Sequence, residues 1–105
     1  MGQISWTEKA SRNLQAIFDY IAKDSRVYAA RYVKALIYAT LKLEQMPRCG
    51  RMVPELQGWK FRELIYRNYR IVYRIIGEND NIEILAIIHG AREMKSAFQE
   101  EWELC

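Results

Sequence analysis

The sequence predicts an α+β fold, an antiparallel β-sheet with an N-terminal helical hairpin and a short C-terminal helix. The expected element order is β-α-α-β-β-β-α. Three observations predict it. Apolar residues recur at helical spacing from Ala10 to Leu43. The period then changes to two between Phe61 and His89. Helical spacing returns after Gly90, with Met94, Phe98 and Trp102 four apart. Consecutive strands joined by short turns make an antiparallel sheet, and the helices then cover one face of it.

Gln3–Trp6 is a short candidate strand. Thr7 suits an N-cap, with Glu8 favourably placed in the first turn. Ala10, Leu14, Ile17 and Ile21 mark Glu8–Lys23 as an amphipathic helix. Ser25 can cap a second helix running to about Met46, where Pro47 stops it. Ala29, Val33, Ile37 and Leu41, with Leu36 and Leu43, supply its expected apolar side. The two-residue joint Asp24-Ser25 favours an antiparallel helical hairpin.

Pro47–Arg51 reads as a turn and Met52–Trp59 as irregular. Three strands follow, at Phe61–Tyr66, Tyr69–Ile76 and Ile82–His89. Arg67-Asn68 joins the first pair, with Asn68 the residue expected to take a positive φ. Gly77–Asn81 is a turn by composition. The last strand is nearly all apolar, which predicts a central strand buried on both faces.

The chain has 105 residues, so one domain spanning 1–105 is expected. Half of the residues are hydrophobic and 28% are charged, which excludes a disordered composition. The net charge is +3, unevenly spread. Residues 1–52 hold nine Lys/Arg against four Asp/Glu, a net of +5. Residues 60–76 hold five Lys/Arg against one Glu, a net of +4. Local basic fields of this kind attract anionic partners. Two cysteines, Cys49 and Cys105, are too few for a disulfide scaffold. Both are expected to be reduced thiols, and the expected location is the cytoplasm. No apolar run approaches the ~18 residues of a membrane span, and no secretory signal is read at the N-terminus.

The stretch YRNYRIVYRI raises the question of function. Alternation places Tyr69, Ile71, Tyr73 and Ile75 on one face, suited to pack against the hairpin. Arg70, Val72, Arg74 and Ile76 fall on the other, expected to be open. With the strands adjacent, Arg62, Arg70 and Arg92 converge at one end of the sheet. Guanidinium groups bind phosphate bidentately and stay charged at any working pH. An exposed strand face with two or three arginines is nevertheless more often a solvated surface than a site. His89, alone at the end of an apolar strand, reads as a structural or hydrogen-bonding histidine. With one His and no Cys pair nearby, zinc is not expected. There is no Ser-His-Asp order, no glycine-rich phosphate loop and no carboxylate pair in an apolar setting. The tyrosines read as core and rim rather than a base-stacking platform.

Five motifs follow one another along the chain: W-T-x-x-A-x-x-x-L-x-x-I at Trp6–Ile17, P-x-x-G-R at Pro47–Arg51, F-R-E-L at Phe61–Leu64, Y-R-I-V-Y at Tyr69–Tyr73 and I-H-G-A-R at Ile88–Arg92. Together they resemble the RelE/ParE superfamily of type II toxin–antitoxin toxins. The resemblance implies the same fold as the periodicity. It also implies one of two activities. The RelE-like branch cuts messenger RNA in the ribosomal A site, and the ParE-like branch poisons DNA gyrase.

Metal-free RNA cleavage needs a base, cations for the developing charge and an acid for the leaving oxygen. On the RelE-like pattern the catalytic set here would be Arg70, Arg92, His89 and Arg62. Phe98 stands where that branch has a tyrosine, and a phenyl ring cannot exchange a proton. Arg62 has Glu63 and Leu64 beside it rather than a second lysine, and arginine is a poor general base. His89, with an ordinary pKa of about 6.5, could take over part of the acid–base work. The ParE-like branch is therefore favoured, which would make the protein a non-enzyme. The alternatives are the ribosome-dependent endoribonuclease and a non-toxic co-repressor.

The resemblance further implies a cognate acidic antitoxin as partner, folding onto the toxin as it binds. Tyr20, Tyr28, Tyr32 and Tyr38, on the outer side of the hairpin, are the expected contact region, with coverage of the core edge as the equal alternative. DNA gyrase or the ribosome with its mRNA is the implied target, and no membrane, metal or organic cofactor is implied. The assembled state is left open between a homodimer and a toxin–antitoxin heterotetramer.

Overall fold

The computed structural model describes residues 2–56 and 60–90. Five strands and two α-helices follow in the order β1 (Ile4–Trp6), α1 (Glu8–Ala22), α2 (Arg26–Thr40), β2 (Arg51–Met52), β3 (Arg62–Tyr66), β4 (Tyr69–Ile76) and β5 (Asn81–His89). The expected C-terminal helix, with Met94, Phe98 and Trp102, lies outside the described residues.

The sheet order is β1-β5-β4-β3-β2. Strands β2 to β5 pair antiparallel. β1 pairs parallel with β5, through Ile4–Ile82, Ser5–Glu83 and Trp6–Ile84. The sheet is therefore mixed rather than purely antiparallel. The hairpin α1–α2 returns the chain to the sheet between β1 and β2, which frees β1 from the hairpin geometry of its neighbours. β4 is the central strand, and β5 lies one place from the edge. β5 is buried on both faces as expected, from Ile84 through Ile88.

Local chemistry sets the helix ends. The Thr7 hydroxyl accepts from the Ala10 N–H at 3.1 Å and donates to the Leu85 carbonyl at 3.0 Å. One side chain thus caps α1 and ties it to β5. The Ser25 hydroxyl accepts from the Tyr28 N–H and caps α2. α2 ends at Thr40, six residues before Met46, and a 3₁₀ turn at Leu41–Glu44 follows. The buried Thr40 hydroxyl donates back to the Ile37 carbonyl at 2.7 Å, a bond that competes with the helical ladder. The buried residues of α2 are Ala29, Leu36 and Thr40. Ile37 and Leu41, expected in the core, are exposed instead.

The β3–β4 turn also differs from expectation. Arg67, not Asn68, has the positive φ, at 52°. Its guanidinium lies 5.7 Å from the Tyr66 ring centroid and 5.9 Å from that of Tyr32, which favours the conformation by cation–π contact. The Gly77–Asn81 turn forms as expected, with Gly77 at φ 77° and Asp80 at 55°.

Two cores result. The helix face of the sheet packs Ile71, Tyr73, Ile82, Ile84 and Ile87 against Ala10, Ile17, Leu36 and Leu43. The other face is not open along its length. Val53, Leu56 and Phe61 cover Val72, Leu85, Ala86 and Ile88 there. Residues 52–59, expected to be irregular, in fact supply Met52 to β2 and a 3₁₀ turn at Pro54–Leu56 above the sheet. Gln57, Gly58 and Trp59 lie outside the described residues.

Candidate functional site

Cross-strand register decides which side chains meet. Glu63 lies opposite Val72, Leu64 opposite Ile71 and Ile65 opposite Arg70. Paired residues share a face. Leu64 and Ile71 are in the helix-side core, so Glu63, Ile65 and Arg70 are on the opposite side. Arg62, opposite Tyr73, belongs to the helix side.

Arg70 is buried and engaged through each of its three side-chain nitrogens. Its Nε–H donates to Glu63 Oε1 at 2.6 Å. Its Nη1 and Nη2 donate to the two oxygens of Glu55, each at 2.7 Å, in a bidentate pair. The second Glu63 oxygen accepts from Arg51 Nε at 2.6 Å. Four residues from four elements therefore form one chain, Glu55–Arg70–Glu63–Arg51. The Glu63 side chain is wholly buried, while Glu55 is 40% exposed. Hydrogen bonds from Arg70 hold the Glu55 carboxyl down to about 2 against an ordinary 4.5. The same contacts raise the Arg70 pKa, so its charge is permanent.

Arg62 does not join this group. Its Nη1 donates to the Gly50 carbonyl at 2.8 Å and the Arg48 carbonyl at 3.3 Å. His89 ends β5, opposite Tyr69, whose ring it meets edge-on at 5.7 Å. Arg92 and Phe98 lie outside the described residues. The expected convergence of Arg62 with Arg70 is thus absent, because the two side chains point to opposite faces. The structure instead brings Arg70 and His89, both singled out in the sequence, to one depression with residues given no site role there. A depression of about 360 Å³ is lined by Arg51, Ile65, Arg67, Asn68, Arg70 and His89, among others. Glu55 gave no signal in sequence, since it sits in an irregular stretch 15 residues from Arg70.

The motifs around the site are tied together. Gly50 N–H donates to the Tyr73 hydroxyl at 3.0 Å, and that hydroxyl donates to the Pro47 carbonyl at 2.8 Å. A Cβ on Gly50 would stand 2.5 Å from the Tyr73 hydroxyl and 2.6 Å from the Glu63 carbonyl. Only glycine fits there. Burial raises the pKa of Tyr73, so the hydroxyl keeps its proton.

On the hairpin, Tyr20, Tyr28 and Tyr38 are exposed, at 70%, 54% and 66%. Tyr32 is half-buried. Its ring meets Tyr28, Tyr66 and Tyr69 edge-on at 6.1, 5.8 and 6.3 Å. α2 exposes Val27 and Ile37 as well, Leu41 is exposed just past its end, and the helix contains no Asp or Glu. Among the described residues no helix is long and apolar enough to cross a membrane.

Solved structures share this architecture. A chain of the chromosomal ParDE toxin–antitoxin system from P. aeruginosa is 27% identical, with a TM-score of 0.70, over 85% of this chain and 96% of that one. A chain of the RelBE2 toxin–antitoxin complex from Mycobacterium tuberculosis is 21% identical, with a TM-score of 0.63, covering 84% and 96%. The isolated E. coli RelE toxin is 16% identical, with a TM-score of 0.60, covering 96% and 97%. The last two likenesses are of fold alone. Among curated proteins none is similar enough in sequence to match. Fold and motifs together define a type II toxin of the RelE/ParE superfamily. The family model for the ParE toxin of the type II toxin–antitoxin system parDE matches residues 4–94, so the chain belongs to that family.

Proposed function

We propose that this toxin acts by binding DNA gyrase, without cutting RNA, and is neutralised by a cognate acidic antitoxin. The observation that carries the first part is the engagement of Arg70. A cation that stabilises a phosphorane-like transition state must present its donors to the reacting phosphate. Arg70 spends Nε, Nη1 and Nη2 on Glu63 and Glu55. Arg62 is committed to turn carbonyls on the opposite face. Membership of the ParE family and the ParDE likeness support the same reading.

The antitoxin reading is supported by the outer face of α2. Exposed Tyr28 and Tyr38, with Leu41 just past the helix end, flank Arg31 and Lys34 with no carboxylate between them. Such a face suits an acidic amphipathic segment. The similar ParDE and RelBE2 chains come from toxin–antitoxin systems.

The ribosome-dependent endoribonuclease remains the second reading. It is favoured by His89, which lines the same depression as Arg51, Arg67 and Arg70. Induced expression, with plasmid supercoiling, RNA integrity and translation followed in parallel, separates the two. The gyrase reading predicts altered supercoiling while messenger RNA stays intact. Early A-site cleavage with normal supercoiling contradicts it.

A further inference from the structure

We propose that Glu55 occupies an anion site, its carboxylate standing on Arg70 where a phosphate-class ligand would otherwise bind. The ligand class covers free phosphate and the phosphodiester of a nucleic acid. The inference concerns what this chain's own carboxylate excludes, and it holds whichever target the toxin has.

The two acids on Arg70 are not equivalent. Glu63 takes the Nε edge, is wholly buried and is shared with Arg51, so it is fixed in the sheet. Glu55 takes the outer fork, Nη1 and Nη2, and is 40% exposed. That fork binds carboxylate and phosphate with the same two parallel N–H···O contacts. Glu55 is therefore the internal stand-in, and rotation of its side chain alone would vacate the fork.

Charge balance leads to the same place. With Glu55 seated, Arg51 and Arg70 are matched by Glu63 and Glu55, leaving the group of four neutral. With Glu55 turned away, the group carries one positive charge. Arg67 and Asn68 line the adjoining depression of about 360 Å³, of which Arg70 is a wall. Glu55 is a specificity-determining residue that keeps the Arg70 fork from holding phosphate.

The test compares wild type with E55A and E55Q, using inorganic phosphate and a short single-stranded oligouridine as probes. E78A, which removes an exposed carboxylate from the β4–β5 turn, controls for net charge. Binding is followed by titration, and the Arg70 Nε–H resonance reports occupancy of the fork. E55A is expected to bind both probes about tenfold or more tightly than wild type and E78A, a gap of about 1.4 kcal/mol. E55Q keeps the side-chain volume and guards against loss of fold, and it is expected to shift in the same direction. Tighter binding of the oligouridine alone assigns the site to phosphodiesters, and tighter binding of both assigns it to the phosphate group itself. Folded E55A and E55Q that bind no better than E78A overturn the proposal. So does binding that leaves the Arg70 resonance unmoved.

Discussion

Arg70 and Glu63 are diagonal cross-strand neighbours whose side chains meet at 2.6 Å inside the second face of the sheet. The contact defines what the arginine of the Tyr-Arg motif does here. It is a structural cation, holding β3, β4 and the Pro54–Leu56 turn together through Glu63 and Glu55.

Removing that cation leaves Glu63 buried with half of its partners gone. Breaking a buried pair costs about 3–5 kcal/mol, because the remaining charge is uncompensated. Arg70→Ala is therefore expected to lower the unfolding free energy by about that much, measured by urea denaturation. Loss of toxicity in this variant would follow from instability. An unchanged midpoint would contradict the structural role.

Gly50 and Tyr73 form the second lock. Gly50→Ala drives a Cβ into the Tyr73 hydroxyl and the Glu63 backbone, so a loss of about 3 kcal/mol is expected. Tyr73→Phe removes the acceptor of the buried Gly50 N–H, with an expected cost of ~1–3 kcal/mol. Thermal unfolding of the two variants and of the double variant checks both. Because they disrupt one contact, the two losses should fall short of additivity.

The Glu55 carboxyl gives a pH signature. Its folded-state pKa is about 2, below the ordinary 4.5. The stabilisation is therefore fully present above pH 4.5 and is lost as pH falls toward 2. Allowing for its partial exposure, it is worth ~1–2 kcal/mol. Unfolding free energy measured between pH 7 and pH 2 should fall less steeply in E55Q than in wild type across that window.

Much of this fold was legible in the sequence, for identifiable reasons. Alternation placed Tyr69, Ile71, Tyr73 and Ile75 on the helix side because a strand has a strict period of two. Thr7 and Ser25 were legible as caps because capping is local. The parallel pairing of β1 was not, since Ile4 and Ile82 are far apart in the chain. The engagement of Arg70 was hidden for the same reason. Its partners lie 7 and 15 residues away, one of them in a stretch without periodicity. The motif Pro47–Arg51 pointed to the right place for a structural reason: Gly50 admits the Tyr73 hydroxyl and Arg51 pairs with Glu63.

The α2 face predicts where the antitoxin docks. Tyr28 and Tyr38 are exposed and Tyr20 still more so. Tyr28→Ala and Tyr38→Ala are expected to weaken antitoxin binding by about tenfold each, a typical effect for an aromatic anchor. Their melting temperatures should stay near wild type. Unchanged affinity in both would move the interface elsewhere.

The most direct measurement is the supercoiling of relaxed plasmid by purified gyrase in the presence of the purified toxin. Inhibition that rises with toxin concentration and is reversed by the antitoxin is the predicted result. Undisturbed supercoiling, from a preparation that cleaves messenger RNA on translating ribosomes, would contradict the account.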